Sequence, residues 1–387
     1  MRDLARQFVL EGHSLTCLVA MAGPVGSVTR QQVEGYETVH VGIPNPKVNS
    51  RLQRVIAETL SPHVLKRAVK HEQAMFQGYD CIVWYSPSIF FGPLVAYLKK
   101  INRCKGYLII RDIFPDWAVD LGLMGEGLPY RFFKYIARQQ YDQADVIGVQ
   151  SPGNLAYFDK WHARYPARRV EVLQNWLSAP SSLDCSISVA ESNLSGRIIF
   201  VYAGNMGVAQ GVGILLELAE RLRGRRDVGF LFVGRGTDAN RLRDSASERL
   251  LDNVQFFDEI DSTEIPGLYA QCHVGLLALD RRHRTHNIPG KFLSYMWSGL
   301  PVLACINPGN DLVELIERER VGRVSTDYCI DTMMQLAEEF AEDILTANFE
   351  NRDIAIRCTT LASKIFSADA AVNQIVNAIK DADLDTT

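Results

Sequence analysis

Short apolar runs alternate with amphipathic segments through the first half of the chain. The runs are bounded by polar or turn residues, which is typical of buried strands, whereas the segments between them repeat apolar residues at helical spacing. The predicted helices are residues 2–11, 51–76, 93–100 and 130–140, and the predicted strands are residues 15–20, 38–43, 80–85, 107–111 and 145–150. Such alternation favours a parallel sheet with helices on both faces.

A second alternation of the same kind begins near residue 197. The predicted strands are residues 197–203, 228–233, 254–257, 273–278 and 301–304, and the predicted helices between them include residues 211–222, 237–251 and 265–271. A further helix is expected to begin at Pro289 and to end at Gly299, because proline suits the first turn and glycine a left-handed cap. Beyond Gly322 the pattern is mostly helical. We therefore predict a second doubly wound domain.

These patterns divide the chain into two doubly wound, Rossmann-like α/β domains. The first comprises residues 1–177, the second comprises residues 197–366, and a serine-rich stretch without periodicity, residues 178–196, is predicted to link them. Residues 367–387 are predicted to form a C-terminal helix with a polar tail. Ligands of such sheets bind beyond the carboxyl ends of the strands, so we expect a functional cleft between the domains.

Composition narrows the classes of function. With 387 residues, 47% of them hydrophobic, the chain can bury a large core. A net charge of -4 gives no reason to expect nucleic-acid binding, which depends on clustered Lys and Arg. The eight cysteines are scattered without a C-x-x-C pair, as in reduced cytosolic proteins. No apolar run approaches the roughly 18 to 20 residues that span a bilayer, so a membrane partner would be contacted at its surface.

A glycine-rich segment, Gly204-Asn-Met-Gly-Val-Ala-Gln-Gly211, lies between a strand and a helix of the second domain. Glycines let the backbone approach a ligand closely, and the helix N-terminus behind them favours a phosphate. The segment is neither the G-x-G-x-x-G fingerprint nor a Walker loop, and tight packing of the turn is the other interpretation. The residues expected to contact a ligand here are Gly204, Asn205, Gly207, Gln210 and Gly211.

Two further strand ends of this domain carry a cation. Arg235 follows Gly234, and a guanidinium in such a turn suits a diphosphate. Lys291 follows Pro289 and Gly290 at a predicted helix N-terminus, where free N–H groups and an ammonium attract an anion. A solvated arginine and a solvated lysine in ordinary turns are the alternatives. The turns at Gly204, Arg235 and Lys291 follow three strands of one domain, and their convergence favours a binding site over three unrelated turns.

In the first domain, one strand end carries Arg111, Asp112, Asp116 and Trp117. A carboxylate there could accept a proton or orient a hydroxyl group. The alternative is a capping Asp112 paired with Arg111. Basic and aromatic residues also mix on predicted helices such as residues 130–138, a pattern that fits an anionic membrane surface as well as a solvated face over a core.

Motifs for metal-dependent or serine-nucleophile chemistry are absent from the sequence. It contains no H-E-x-x-H motif, no cluster of His and Cys at ligand spacing and no G-x-S-x-G motif. We therefore expect neither a bound metal nor another cofactor.

Three strings carry a resemblance that covers nearly the whole chain. They are Arg111-Asp-Ile-Phe-Pro-Asp-Trp-Ala-Val-Asp-Leu-Gly122, Gly204-Asn-Met-Gly-x-x-Gln-Gly211 and Ile288-Pro-Gly-Lys-Phe-Leu-Ser-Tyr-Met-x-Ser-Gly-Leu-Pro-Val302. On these strings the chain resembles bacterial glycosyltransferases of family 4, which have the GT-B fold, and in particular the N-acetyl-L-fucosamine transferases of O-antigen and capsule synthesis. The resemblance implies a UDP-sugar donor domain on the C-terminal side, an acceptor domain on the N-terminal side, final helices that cross back onto the first domain, and metal-free transfer with retention of anomeric configuration.

The same resemblance implies a substrate class and a location. The donor would carry an N-acetylated deoxy sugar such as N-acetyl-L-fucosamine, and the acceptor would be a polyprenyl-diphosphate-linked saccharide of lipopolysaccharide or capsule synthesis. The enzyme would be cytoplasmic and peripheral at the inner face of the cytoplasmic membrane. The residues involved would be Asp112, Lys291 and Arg235 in catalysis, Arg111, Asp116 and Trp117 on the acceptor side, and the first glycine turn with Gly234, His286, Asn287, Pro289, Gly290 and Ser294 in donor binding.

The chain departs from the family pattern in three places. Two glutamates that family members place eight positions apart in the donor site match His286 and Ser294 here, and an Arg and a Lys of the first glycine turn match Asn205 and Gln210. We therefore expect the two cations at the other strand ends, together with helix N-termini, to neutralise the UDP leaving group. The family's first strand is also missing, and we expect an upstream start codon to restore it.

Two other functions are compatible with two such domains. A UDP-sugar 2-epimerase needs acids and bases around the sugar ring instead of an acceptor site, and the stretch 112–120 favours the transferase. A two-lobed sugar- or nucleotide-binding protein without catalysis is the non-enzymatic alternative.

Overall fold

The computed structural model of the protein describes residues 1–44, 51–86, 88–120, 122–207, 210–282, 288–346 and 349–384, with the backbone alone at residues 51–58, 349–352 and 383–384. The chain divides into two compact units. The first comprises Met1–Gln174 and Ala368–Thr387, and the second comprises Asn175–Ser367. The C-terminal residues therefore belong to the same unit as the N-terminal part of the chain.

The first unit contains two sheets. Its elements up to Gln174 are α1 (Arg2–Leu10), β1 (Thr16–Ala22), β2 (Val28–Val33), β3 (Tyr36–Ile43), α2 (Arg51–His71), β4 (Cys81–Ser86), α3 (Gly92–Asn102), β5 (Lys105–Ile110), α4 (Asp116–Asp120), α5 (Leu128–Tyr141), β6 (Val146–Val149), α6 (Asp159–Arg164) and β7 (Arg169–Val172). The sheet orders are β1-β3-β2 and β4-β5-β6-β7. Every pair is parallel except β2 with β3.

The antiparallel strand β2 is a difference from the parallel pattern that the sequence predicts. Its residues are mostly exposed, so it has no buried apolar run. The turn to β3 is Glu34-Gly35, and both residues have positive φ, 49° and 91°. Two left-handed residues in succession suit the two-residue turn of an antiparallel hairpin. The backbone conformation of this turn therefore sets the direction of β2.

Two apolar clusters hold the helices of the first unit against its sheets. In one, Leu108 and Ile147 of neighbouring strands pack against Tyr141 of α5. In the other, Val39 of β3 packs with Leu65 of α2 and with residues of α3. These residues are less than a tenth exposed, as expected for a sheet covered by amphipathic helices.

The second unit is built on one sheet. Its elements are β8 (Ile198–Ala203), α7 (Gly213–Arg221), β9 (Val228–Val233), α8 (Ala239–Glu248), β10 (Val254–Phe257), α9 (Ile265–Tyr269), β11 (Val274–Ala278), α10 (Gly290–Trp297), β12 (Val302–Cys305), α11 (Asp311–Glu319), β13 (Gly322–Ser325), α12 (Ile330–Leu345) and α13 (Phe349–Ile365). The parallel strand order is β10-β9-β8-β11-β12-β13. This order reverses between β8 and β11, which is the position where ligands bind in doubly wound sheets.

The sheet of the second unit has a core on each face. Strands β8, β9, β11 and β12 are buried at every position, which explains why they appear in the sequence as continuous apolar runs. Residues of α7, α8 and α12 pack on one face, and residues of α9, α10, α11 and α13 on the other. The predicted doubly wound α/β fold is confirmed. Strand β13 differs from the sequence-based prediction, because the pattern after Gly322 indicates mostly helix.

Residues 178–196, which the sequence predicts as a linker, belong to the second unit. Ile187, Val189 and Leu194 are buried in one of its cores. The backbone N–H of Val189 donates to Gln271 Oε1 over 2.9 Å. The stretch lacks periodicity because it packs as an irregular segment, fixed by side chains of the sheet's own helices and turns.

The last helix, α14 (Ala368–Leu384), packs in the first unit. Val372 and Ile375 are buried. Gln374 Nε2 donates to the Val172 carbonyl at the end of β7 over 2.8 Å and to Glu171 Oε1 over 2.9 Å. Buried apolar residues and a polar tie together fix this helix against the sheet. Among the described residues, no helix is both long and apolar enough to cross a membrane.

Candidate functional site

A cavity of about 680 Å³ opens in the second unit at the carboxyl ends of β8 and β9. Its floor is formed by Gly204 and Gly234, which directly follow these two strands. Lys291 and Ser294 of α10 line it from one side. Four residues predicted from three separate stretches of sequence therefore meet around one cavity. Parallel strands end at one edge of a sheet, and that geometry brings them together.

The two glycine turns pack backbone against backbone. Gly204 N donates to the Val233 carbonyl over 2.9 Å. Gly234 has φ 138°, and a Cβ at this position would lie 2.1 Å from the Gly204 carbonyl oxygen. Gly236, with φ 153°, meets Met206 in the same way, since a Cβ there would lie 2.3 Å from its carbonyl oxygen. Gly234 and Gly236 are thus required for close packing of the turns.

Gly204 differs, because its open side faces a cation. A Cβ at Gly204 would lie 3.7 Å from Lys291 Nζ, with no closer neighbour than Lys291 Cε. The backbone of the first turn therefore leaves space beside the ammonium. A ligand could contact both the turn and the lysine at this point.

Lys291 is the central charged group of the cavity. It lies in the first turn of α10, after the N-cap residue Pro289. Its Nζ is 4.6 Å from the centroid of the Tyr202 ring, and no carboxylate of the described residues pairs with it. Removal from water lowers the pKa of Lys291 to about 8. A desolvated ammonium without a counter-ion is costly, so this arrangement favours binding of an anion.

The ring beneath the ammonium is held in place. Tyr202 is fully buried, and its hydroxyl donates to the Asn205 carbonyl over 2.6 Å. Burial raises the pKa of Tyr202, so the hydroxyl stays neutral and acts as a donor. An aromatic face attracts a cation without neutralising it. Tyr202 therefore orients Lys291 and leaves its charge available.

The first glycine turn is closed by an uncharged network. Asn205 Nδ2 donates to Gln210 Oε1 over 2.9 Å, and Gly207 N donates to the same oxygen over 3.2 Å. Gly211 has φ 57° and lies against the backbone of Leu279. None of these residues lines the cavity, although all were predicted as donor contacts. In the described part of the turn, the side-chain amides of Asn205 and Gln210 therefore hydrogen-bond to each other.

Arg235 has different surroundings from Lys291. Its side chain is 80% exposed, and its Nε forms an ion pair with Glu259 Oε2 over 2.9 Å. An exposed pair of this kind contributes about 0 to 1 kcal/mol, so it breaks readily when a stronger anion arrives. Arg235 itself does not line the cavity, but its partner Glu259 does.

The remaining predicted donor residues lie around α10. Ser294 lines the cavity and donates its hydroxyl to the Gly290 carbonyl over 3.4 Å, within the helix. The Pro289 carbonyl accepts from Phe292 N over 2.9 Å and so begins the helix. His286 and Asn287 lie outside the described residues.

One wall of the cavity was not predicted. The members of this wall follow the third strand of the edge, β10, and continue into α9; they are Glu259, Ile260, Asp261, Ser262, Ile265 and Tyr269. Asp261 accepts from Thr263 Oγ1 over 2.7 Å and from Thr263 N over 2.9 Å, which lowers the pKa of its carboxyl group and fixes the turn. The sequence predicts the strand, and residues after the carboxyl end of a strand are candidate ligand contacts. Its position beside β9, which brings the wall to the cavity, is not contained in the local pattern.

The four predicted residues of the first unit make structural contacts. Arg111 is buried, donates to the Leu173 carbonyl over 3.2 Å, and has its pKa lowered by burial to about 10. Asp112 lies close enough to Arg111 to favour its charged form. Asp116 pairs with Lys134 over 2.6 Å. None of the four lines the cavity of the second unit.

Two further contacts complete this region of the first unit. Trp117 packs against Phe114 with ring centroids 6.1 Å apart. Tyr130 donates its hydroxyl to Asp116 Oδ1 over 3.2 Å.

The described residues contain no group of three or more His, Cys, Asp or Glu placed to hold a metal ion.

The second unit is similar in sequence to a known protein family. Residues 197–347 match the protein-family model described as Glycosyl transferases group 1. This segment is therefore similar to group 1 glycosyltransferases. The cavity, Lys291 and both glycine turns lie within residues 197–347.

A curated relative shares part of this sequence. The putative colanic acid biosynthesis glycosyl transferase WcaI of Escherichia coli is 28% identical over 219 residues, which cover 50% of this chain and 50% of that protein. The chain spans about half the length of the curated relatives it matches.

Solved structures resemble the whole chain. Sucrose-phosphate synthase of Thermosynechococcus elongatus is 15% identical with a TM-score of 0.70, covering 98% of this chain and 92% of that one. Anabaena Alr3699/HepE in complex with UDP-glucose is 17% identical with a TM-score of 0.61, covering 88% and 86%. The chain therefore has the GT-B fold that the sequence predicts, and residues 197–347 lie in its second unit.

Proposed function

We propose that the protein is a retaining glycosyltransferase of family 4 that transfers a sugar from UDP to a polyprenyl-diphosphate-linked saccharide in surface polysaccharide synthesis. The observation that carries the proposal is the desolvated ammonium of Lys291, which has no carboxylate partner in the described chain and borders a cavity at the strand ends of a unit similar to group 1 glycosyltransferases. A diphosphate is the anion that such an enzyme must hold.

The reaction creates charge where this cation lies. When the bond between sugar C1 and the β-phosphate oxygen breaks, negative charge develops on the leaving UDP. The proposal assigns its stabilisation to the Lys291 ammonium, the N–H groups at the start of α10 and Arg235 after its release from Glu259. As the acceptor oxygen bonds to C1, its hydroxyl proton passes to the departing β-phosphate oxygen of UDP, and we assign Asp112 to orient that hydroxyl.

The unpredicted wall suits the nucleoside. Ile260, Ile265 and Tyr269 offer apolar surface, and the backbone of residues 259–262 offers polar groups. A uracil ring needs both a hydrophobic contact and hydrogen bonds in its plane. In this proposal, Ser294 faces the sugar at the position where family members carry a glutamate.

The proposed donor sugar and acceptor rest on the resemblance, and the relatives support the wider class of polysaccharide glycosyltransferases. The relative from Escherichia coli is named for colanic acid biosynthesis, and the Anabaena protein was solved with UDP-glucose. The proposed donor is UDP-N-acetyl-L-fucosamine, the proposed pathway is O-antigen or capsule synthesis, and the proposed location is the cytoplasmic face of the membrane. No metal is assigned to the reaction.

The test is a transfer assay read by mass. Purified protein is incubated with a panel of UDP-sugars and a polyprenyl-diphosphate-linked saccharide, and the lipid-linked product is analysed by mass spectrometry and by NMR of its anomeric carbon. One added sugar with retained configuration is expected. A UDP-sugar epimer without lipid-linked product would point instead to an epimerase, and UDP binding without any turnover would point to a binding protein.

A further inference from the structure

We propose that Glu259 binds the two hydroxyl groups of the donor's ribose, and that its carboxylate becomes free to do so when Arg235 leaves it for the diphosphate. The ligand is the nucleoside diphosphate of the proposed function, on which this assignment rests. Glu259 recognises the ribose of the nucleotide, whereas Lys291 and Arg235 hold its charge.

Glu259 stands where the two ends of the cavity meet. It lines the cavity at the start of the wall that continues through Ile260 to Tyr269, and this wall suits the base. The Glu259 carboxylate also pairs with Arg235, which directly follows Gly234 of the cavity floor. In a nucleoside diphosphate the ribose joins the base to the phosphates. The ribose hydroxyls therefore fall at the position of Glu259.

Two neighbouring hydroxyl groups are best bound by one carboxylate. Its two oxygens accept from both hydroxyls at once, and hydrogen bonds to a charged acceptor are stronger than those to a neutral one. Among the described residues that line the cavity, only Glu259 and Asp261 carry a carboxylate. Ser294 offers a single hydroxyl, which donates to the Gly290 carbonyl over 3.4 Å. The choice therefore lies between the two acidic residues.

Asp261 is engaged in its own turn. Its Oδ1 accepts from Thr263 N and from Thr263 Oγ1, and so caps the short helix Ser262–Glu264. Glu259 is 51% exposed, and within the described chain its side chain is bound by Arg235, over 2.9 Å. A long side chain held by an exposed ion pair can turn toward a ligand at small cost. These contacts favour Glu259.

The ion pair couples the two ends of the ligand. When Arg235 moves to the diphosphate, the Glu259 carboxylate loses its cation, and the ribose hydroxyls replace the lost donors. A ligand with a diphosphate but no hydroxyls leaves Glu259 unpaired, whereas a nucleoside without phosphates leaves Arg235 in place. A nucleoside diphosphate exchanges with both partners at once, so its two contacts reinforce each other.

Calorimetry with the full-length chain compares UDP with dideoxy-UDP, whose ribose lacks both hydroxyl groups. The wild type is expected to bind UDP about ten-fold or more tightly than dideoxy-UDP. In Glu259→Gln this ratio should fall to within about three-fold, because an amide offers one neutral acceptor in place of a carboxylate. Dideoxy-UDP itself should bind Glu259→Gln up to about five-fold more tightly than the wild type, since Arg235 is no longer held. Simple damage to the cavity would weaken both ligands.

Asp258→Asn is the matched control. Asp258 pairs with Arg243 over 2.9 Å, but its side chain is 91% exposed and does not line the cavity. This variant and Asp261→Asn should keep the wild-type ratio, and circular dichroism checks that each variant is folded. An unchanged ratio in Glu259→Gln would overturn the proposal. Loss of the ratio in Asp261→Asn instead would overturn it in favour of Asp261.

Other nucleotides separate this proposal from the proposed function. Binding of GDP but not of UDP, with discrimination against dideoxy-GDP that Glu259→Gln removes, would contradict a UDP-sugar donor and keep the ribose contact. Equal affinity of the wild type for UDP and dideoxy-UDP would contradict the ribose contact and leave the function standing. Absence of binding by all four nucleotides would overturn both.

Discussion

Lys291 and Arg235 have equal standing in the sequence, since each is a cation beside a glycine at a strand end, yet their surroundings differ. Arg235 is exposed and paired with Glu259, whereas Lys291 is desolvated, unpaired among the described residues and set on the Tyr202 ring. A cation that already has a partner gains less from a ligand than one that lacks a partner. We therefore assign the main anion contact to Lys291.

Replacing Lys291 by Met should lower the turnover rate about a hundred-fold or more, since the reaction would lose its charge partner for the leaving UDP. Lys364→Met is the matched control, because Lys364 is an exposed lysine of α13, and it should keep the wild-type rate. Steady-state kinetics with a UDP-sugar donor give the comparison. A Lys291→Met enzyme within a few-fold of wild type would remove this residue from the mechanism.

The lowered pKa of Lys291 predicts a pH dependence of UDP affinity. Below about 8 the lysine of the free protein is charged; above it the proton is lost and must be regained when the diphosphate binds. The dissociation constant should thus stay level below this pKa and rise by up to about ten-fold per pH unit above it, since binding becomes linked to proton uptake. Calorimetry in buffers of different ionisation enthalpy measures the dissociation constant and the number of protons taken up on binding. A dissociation constant that is level up to about pH 9.5 would contradict the assignment.

Elements of the second unit follow directly from its sequence wherever a strand is buried on both faces. Strands β8, β9, β11 and β12 are such continuous apolar runs. The wall at Glu259–Tyr269 could not be placed in this way, because only the pairing of β10 with β9 brings it beside Gly234, and local pattern does not encode strand order. Strand β2 escaped prediction because it is mostly polar and exposed.

The close packing of the two glycine turns predicts that a side chain at Gly234 destabilises the second unit. In Gly234→Ala the added Cβ would meet the Gly204 carbonyl oxygen at 2.1 Å, and φ would stay at 138°. Strain and overpacking together should cost about 3 kcal/mol or more of unfolding free energy. Gly213→Ala is the control, because a Cβ there meets nothing within 4 Å at the start of α7. It should change stability by no more than about 1 kcal/mol.

Urea unfolding of the two purified variants measures the difference. If Gly234→Ala were as stable as Gly213→Ala, the two turns would have more freedom than their packing implies. In that case the cavity floor would not be the rigid surface that the proposed donor site requires.

In the whole molecule, the fold class can be predicted from the sequence more readily than the long-range packing. Solved structures only 15% and 17% identical match the chain over most of its length, because hydrophobic patterning sets the layers of a doubly wound fold. The predicted fold class therefore agrees with the structure. The division of the first unit into two sheets and the inclusion of residues 178–196 in the second unit depend on long-range packing, which the pattern does not contain.

The central claim is that the cavity beside Lys291 binds the diphosphate of a UDP-sugar. Calorimetric titration of the wild-type protein with UDP and with uridine tests it most directly, because the two ligands share the nucleoside and differ in the charge that Lys291 would meet. We predict that UDP binds at least about a hundred-fold more tightly than uridine and that Lys291→Met abolishes most of this difference. Equal affinities for the two ligands, or an undiminished difference in Lys291→Met, would contradict the account.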